Sequence, residues 1–363
     1  MRPEFLRARR RGRSALQLPA PSVSLLVRPR LLRSLDAILW GGGHLLQDDS
    51  SQFKCLYWAA ALRLLRILSG RPIIGFGVGV GPLHTRSGRF FARVALGALD
   101  DLVVRDEGSA EWVRRAGAPR GSIRVAPDPA VTLQPAPRDE ALRYLADGEG
   151  IRLAPGERLI GVGLRRWFHL ERGQVVPHRW RSILPVRLKP DAGLFDQLKA
   201  NLADALNRLA ADAPQRVLLF PMYTVPWEAD DRESADLAAR LRCPAHVLSL
   251  RCRPHVAKAV AGLCDLFVGV RLHSAILALG MGVPTIGIGY AEKHALFARV
   301  GQAARWLDIG RAARADGADE LHRLFRDAVV RRKEISAEIA GQWRKLQAEA
   351  GLYEDVLRGI GSP

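Results

Sequence analysis

Short apolar runs alternate with longer stretches of helical spacing, and the alternation holds from residue 23 to residue 300. Val23 to Val27 reads as a strand and Leu31 to Leu35 as a helical turn. Asp36 to Trp40 (DAILW) is a strand that runs into Gly41, Gly42 and Gly43. Bare backbone there permits a tight turn or the approach of a ligand. A helix over 52–68 starts after a serine cap at Ser50 or Ser51 and stops at Gly70. Pro72 to Val80 (PIIGFGVGV) is a buried strand with glycine at every second position from Gly75, ending at Gly81-Pro82. A helix over 86–99, a strand over 101–104 ending in Arg105-Asp106, a helix over 107–116 and a strand over 123–126 follow. Strands and helices in strict alternation form parallel βα units.

Residues 135–157 are rich in Pro, Asp and Gly and read as a linker with one helix near Asp139 to Leu145. A second alternation then begins: strands over 158–163, 216–220, 246–250 and 266–270, and helices over 192–211, 230–241 and 254–263. Val268 to Tyr290 (VGVRLHSAILALGMGVPTIGIGY) reads as a strand end presenting Arg271 and His273, a helix over 274–281 capped by Ser274, and a second strand after Pro284. Helix N-termini beyond strand ends favour anions, and an arginine and an imidazole there fit a phosphate or carboxylate. A solvated arginine beside an ordinary helix cap is the plainer reading. From residue 319 onward, apolar residues at helical spacing predict one long amphipathic helix. The expected organisation is a basic, disordered arm over 1–20, a Rossmann-like domain over 21–134, a linker over 135–157, a second Rossmann-like domain over 158–316 and a helical tail over 317–363.

Length and charge narrow the picture. The 363 residues suit two α/β domains, and 48% hydrophobic content supports large cores. The net charge of +18 is compatible with nucleic acid, an anionic membrane surface or anionic small substrates. No recognition helix, zinc finger or RNA-binding sheet motif occurs, which argues against nucleic acid. Six arginines fall in the first thirteen residues without a following apolar signal region, and no apolar run reaches spanning length. Four cysteines without framework spacing fit a reducing compartment. The two C-x-x-H pairs, Cys243 with His246 and Cys252 with His255, flank an expected strand and lie too far apart to share an ion, so no metal site is expected. Residues 166–190 form a long loop with five Arg, one Lys and one Glu among Trp167, Phe168, His169, His178 and Trp180. Cations with aromatic faces suit sugar rings, lipid phosphates or bases.

The segments GGGHLLQD, GFGVGVGPL, VVRDEGS, APDPA, GVGLRRW, LLFPM, VRLHS and GIGYAEK occur in that order between Ser22 and Leu307. As an ordered set they resemble the polysaccharide pyruvyl transferase family, the bacterial enzymes that pyruvylate cell-wall polymers and exopolysaccharides. The resemblance implies an α/β fold of two Rossmann-like domains facing a central crevice, as in B-type glycosyltransferases, with a long C-terminal helix. It implies transfer of pyruvate from phosphoenolpyruvate to a sugar as a ketal, with release of phosphate and no cofactor. Matched to the family's motifs, Arg271 and His273 are the expected catalytic pair. Arg165, Lys293, Tyr290, Gly41, Gly42, Gly43, Gly79, Gly81, Arg105 and Asp106 are expected at the substrates. Gln47 and Asp48 join them, Asp48 or Asp106 orienting a sugar hydroxyl or the imidazole. Asp106 and Asp48 are equally read as helix caps. His44 and His84 also follow glycine turns and rank below His273.

The family opens with a strand and a Gly-Asn-x-Gly-Asp segment that has no counterpart here, so the chain is expected to begin after that first βα unit. Ala291-Glu292 stand where the family often has Asp-Pro. The expected partners are phosphoenolpyruvate and a sugar acceptor carried on a lipid or polymer. The expected place is the cytoplasm, with contact at the inner face of an anionic membrane. Two other readings stay open: a B-type glycosyltransferase using a nucleotide sugar, and an inactive sugar- or polymer-binding remnant.

Overall fold

The computed structural model describes residues 15–18, 29–48, 51, 53–117, 121–166, 193–225, 228–289 and 291–360, with backbone alone at 15–18, 29 and 291–294. The expected strand over 23–27, most of the loop over 166–190, Tyr290 and the Lys293 side chain lie outside what is described. By contact the chain forms two compact units. The first takes the described residues up to Pro129 and from Gln347 onward, the second those from Ala130 to Leu346.

The first unit is a parallel five-stranded sheet in sequential order: β1 (Ala15–Leu18), β2 (Ala37–Leu46), β3 (Ile73–Val80), β4 (Asp101–Val104) and β5 (Ile123–Val125). Helices α1 (Pro29–Arg33), α2 (Phe53–Ser69), α3 (Arg86–Leu96) and α4 (Glu107–Ala116) connect these strands. Trp40, Leu62, Val78, Ala95 and Val104 are among the side chains closing the core between sheet and helices.

Two expectations change here. Ala15–Leu18, within the arm expected to be disordered, is a strand paired with Ala37–Trp40. Four residues are too few for periodicity to register beside a row of arginines. The glycines Gly41 to Gly43 do not end β2. They lie inside it, with φ of 85° at Gly42 and 136° at Gly43, and the pairing with β3 slips between His44 and Leu46. Glycine within a strand marks such an irregularity as readily as a turn.

The second unit holds β6 (Arg158–Gly163), β7 (Gln215–Leu219), β8 (Ala245–Val247), β9 (Leu266–Gly269), β10 (Thr285–Gly289) and β11 (Trp306–Asp308). All neighbours pair in parallel, in the order β8-β7-β6-β9-β10-β11. The chain winds outward from β6 in one direction, returns to β9 and winds outward in the other. That places a topological switch point between β6 and β9, where doubly wound sheets open a crevice at their carboxyl ends.

The stretch expected as a linker belongs to this unit. Helix α5 (Arg138–Arg143) and a π-helical turn over Tyr144–Gly148 bury Ala141 and Leu145 in the core with Ala136 and Ile151. Alternation of Pro and Gly with charge hid this apolar spacing. Helices α6 (Leu194–Ala210), α7 (Asp230–Ala239), α8 (Pro254–Ala261), α9 (Leu272–Leu279), α10 (Ala291–Arg299) and α11 (Ile309–Ala312) complete the winding.

The long C-terminal helical tail is present, but as three pieces: α12 (Gly317–Val330), α13 (Arg332–Glu349) and α14 (Leu352–Gly359). Breaks at Arg331 and at Ala350-Gly351 interrupt the single helix expected. The last piece packs into the first unit, where the Tyr353 ring lies 4.6 Å from Phe76 and its hydroxyl donates to Pro127 O at 2.9 Å. Among the described residues no helix is long and apolar enough to cross a membrane.

Candidate functional site

In the second unit the switch point gathers charged side chains from three strand ends. Leu164 and Arg165 follow β6, Glu228 and Asp230 follow β7, and Arg271 follows β9 as the residue before α9. Backbone N–H groups of Val270 and Arg271 both donate to Gly163 O, at 2.9 and 3.2 Å, which fixes the exit of β9 against β6. Gly163 is required there. A Cβ on it would stand 2.1 Å from Ser274 Oγ, so only glycine lets the first turn of α9 sit this close to the sheet. Ser274 does not cap the helix as expected. It lies in the first turn, and its hydroxyl donates to Arg271 O at 2.8 Å.

Arg271 is only 6% exposed. Its Nε and Nη2 both bond the fully buried Asp230, Nη2 reaching Oδ1 at 2.7 Å, and Nη2 also donates to Glu228. The guanidinium lies 4.5 Å from the centre of the Tyr223 ring. Asp230 is anchored in turn by Tyr223 N at 3.0 Å. Burial opposes the Arg271 charge, but the two carboxylates outweigh it and hold its pKa above the ordinary value. Burial pushes the Asp230 carboxyl up and Arg271 draws it back. The two-point bond to a guanidinium keeps the pair ionic. Nη1 of Arg271 makes no hydrogen bond with a described residue and remains a donor.

Arg165 Nε stands 3.8 Å from Glu228. Burial, and next the Arg271 cation, pull Arg165 below the ordinary arginine range. His273, half-buried, occupies the first turn of α9, two residues after Arg271. Arg165 and Arg271 therefore meet at Glu228, and His273 lies in the helical turn that starts beside them. Glu228, Asp230 and Tyr223 are not among the residues expected from the sequence. The signal for the two carboxylates was the acidic run over 228–233 beyond a strand end in a chain of +18.

In the first unit a second cluster sits at the carboxyl ends of β2 to β5. His44 Nε2 faces Gly81 O and its Nδ1 faces Arg105 Nη2 at 2.5 Å. A carbonyl can only accept and a guanidinium can only donate, so these two contacts fit the tautomer with its proton on Nε2. Arg105 also lies 3.5 Å from Asp106 and 3.8 Å from Asp128. Lys54 Nζ donates to His44 O at 2.6 Å. Gly79 makes room for this pair: a Cβ there would lie 2.8 Å from His44 Nδ1 and 2.9 Å from the Arg105 guanidinium carbon.

Other expected residues here are engaged structurally. Asp106 caps α4, its Oδ1 accepting from Ser109 N at 2.6 Å. Asp48, 6% exposed, accepts from His84 N at 2.9 Å, Thr85 N at 2.7 Å and Thr85 Oγ1 at 2.6 Å. It ties the end of β2 to the turn that starts α3. Gln47 is buried, and its carbonyl accepts from Cys55 Sγ at 3.6 Å. The four cysteines are free thiols.

Solved structures share this fold at low identity. The chain is similar to an alpha,alpha-trehalose-phosphate synthase (UDP-forming) from Burkholderia vietnamiensis, with TM-score 0.52, 14% identity and coverage of 93% of this chain and 79% of that one. It is similar to the UDP-GlcNAc 2-epimerase from Neisseria meningitidis bound to UDP-GlcNAc, with TM-score 0.52, 10% identity and coverage of 94% and 83%. A trehalose-6-phosphate synthase gives TM-score 0.54 at 12% identity, over 93% of this chain and 76% of that one. These likenesses show the fold alone, that of B-type glycosyltransferases. The polysaccharide pyruvyl transferase family matches over residues 2–292, most of the chain and both units. The protein belongs to the polysaccharide pyruvyl transferase family.

Proposed function

We propose that the protein transfers pyruvate from phosphoenolpyruvate to two hydroxyls of a sugar in a cell-wall or exopolysaccharide precursor, forming a ketal and releasing phosphate. The observation that carries this reading is the meeting of Arg165 and Arg271 at the switch point of the second unit, with His273 in the helix turn that follows, in a chain of this family. Phosphoenolpyruvate brings a phosphate and a carboxylate, and both are recognised by guanidinium groups. Arg271 offers Nη1 while its other edge is held by Asp230 and Glu228, so it is positioned before the ligand arrives. Arg165 supplies the second cation, and Lys293 and Tyr290 are assigned to the donor on their place in the family motif.

In the reaction, His273 delivers a proton to the methylene carbon of the donor. C2 then carries positive character, and a sugar hydroxyl adds to it. Loss of the C2–O bond releases phosphate, and the second hydroxyl closes the ketal. One hydroxyl proton replaces the one spent on the new methyl group, and the other leaves with phosphate. An imidazole suits this exchange because it gains and loses a proton near neutral pH.

The test is phosphate release from phosphoenolpyruvate in the presence of lipid-linked and polymer sugar acceptors. His273→Ala is expected to lower the rate by about a hundredfold or more while leaving the melting temperature unchanged. Near-normal ketal formation by this variant removes His273 from the mechanism.

A further inference from the structure

The outer side of the α2–α3 pair in the first unit is apolar and basic. The two helices lie side by side, Arg63 Nε of α2 donating to Val94 O of α3 at 3.2 Å. Nine large hydrophobic side chains are exposed among the described residues, and six of them are on this pair. Phe53, Leu56, Tyr57, Leu64 and Ile67 follow one another at helical spacing along α2, and Phe90 projects from α3. Ile67 is 76% exposed and Phe90 61%. The opposite side of α2 buries Trp58, Leu62 and Leu65, so this helix is apolar on both sides. A helix that covers a sheet ordinarily turns a polar face outward. A contiguous exposed apolar stripe marks a contact surface.

The charge around the stripe identifies what fits it. Residues 50–99 contain seven Lys and Arg and no Asp or Glu. Arg63, Arg86 and Arg93 are exposed on the same two helices. A second copy docked through this face would set like charges against each other, because a two-fold contact repeats the same patch on both sides. An acidic bilayer satisfies both features: arginines meet phosphates at the headgroup level while the apolar side chains enter the boundary of the acyl region.

We propose that the α2–α3 face docks the protein on an anionic lipid bilayer. The inference stands apart from the donor and the reaction, since it uses only this helix pair and the charge of its segment.

The experiment is sedimentation of the full chain with vesicles of phosphatidylglycerol and phosphatidylcholine, against vesicles of phosphatidylcholine alone. The wild type is expected to bind the mixed vesicles and not the neutral ones, with binding falling as salt rises. The double variant Ile67→Glu/Phe90→Glu is expected to lower the partition coefficient by about tenfold or more. Both side chains are mostly exposed, so folding is retained and is checked by circular dichroism. Val330→Glu, 79% exposed on α12, is the control and is expected to bind as the wild type. Undiminished binding by the double variant overturns the proposal, because charge elsewhere on the chain then suffices. Absence of wild-type binding at low salt also overturns it, as does a wild-type dimer in sedimentation velocity that the double variant converts to monomer.

Discussion

At the scale of single residues, Arg271 carries the most consequence. A guanidinium 6% exposed is tolerable only because Asp230 and Glu228 take up its charge, and the fully buried Asp230 needs the cation in turn. Removing one side of a buried pair leaves the other uncompensated. Arg271→Met is expected to destabilise the protein by about 3–5 kcal/mol, read as a shift in the urea midpoint. Adding Asp230→Asn and Glu228→Gln to it is expected to restore part of the loss. A single variant as stable as the wild type contradicts the assignment. The arginine and the histidine were legible because they end an apolar run before a helix. The acidic partners of the arginine were not, because a βα loop has no period and contact between loops is set by the sheet order. His44 was legible only as a lesser candidate, since its pairing with Arg105 depends on strands β2 and β4 lying one strand apart.

At the scale of elements, two anchors hold segments that the sequence left loose. Asp48 gathers three hydrogen bonds from the turn over 84–85. Asp48→Ala is expected to cost about 1–3 kcal/mol, since it leaves three donors of a part-buried turn without their acceptor. Lys258 of α8 is 1% exposed, donates to Leu133 O at 2.6 Å and lies 5.8 Å from the Trp343 ring centre. It ties α8 both to the chain leading into α5 and to α13. Burial lowers its pKa below the ordinary 10.5. The unfolded chain therefore holds more protons than the folded one just below 10.5, and stability rises with pH through that window and levels off above it. Lys258→Met is expected to abolish this rise, as measured by denaturation at a series of alkaline pH values. A slope unchanged in the variant refutes the role of Lys258. The βα alternation itself was plain from apolar runs, while β1 and the two breaks in the tail were not. Short strands and helix ends are fixed by neighbours in space rather than by period.

At the scale of the whole molecule, the two Rossmann-like units were foreseen from the alternation, and family membership from ordered motifs spread over both. What the linear pattern did not show was the allotment of residues 130–157 and of α14. Residues 130–157 fold into the second unit, and α14 joins the first from the far end of the chain. Apolar spacing says that a helix buries a face and leaves open which core receives it. The order β8-β7-β6-β9-β10-β11 supplies the physical reason for the position of the proposed site. It brings the residue after the unit's first strand beside the residue after its fourth, about a hundred positions later in the chain. In the proposed reaction this switch point receives phosphoenolpyruvate. Calorimetric titration of the protein with phosphoenolpyruvate tests it most directly, with UDP-glucose as the comparison. Saturable binding of one phosphoenolpyruvate per chain, weakened at least about tenfold in Arg165→Ala and unaffected by UDP-glucose, is the predicted result. Tight binding of UDP-glucose with none of phosphoenolpyruvate would contradict it.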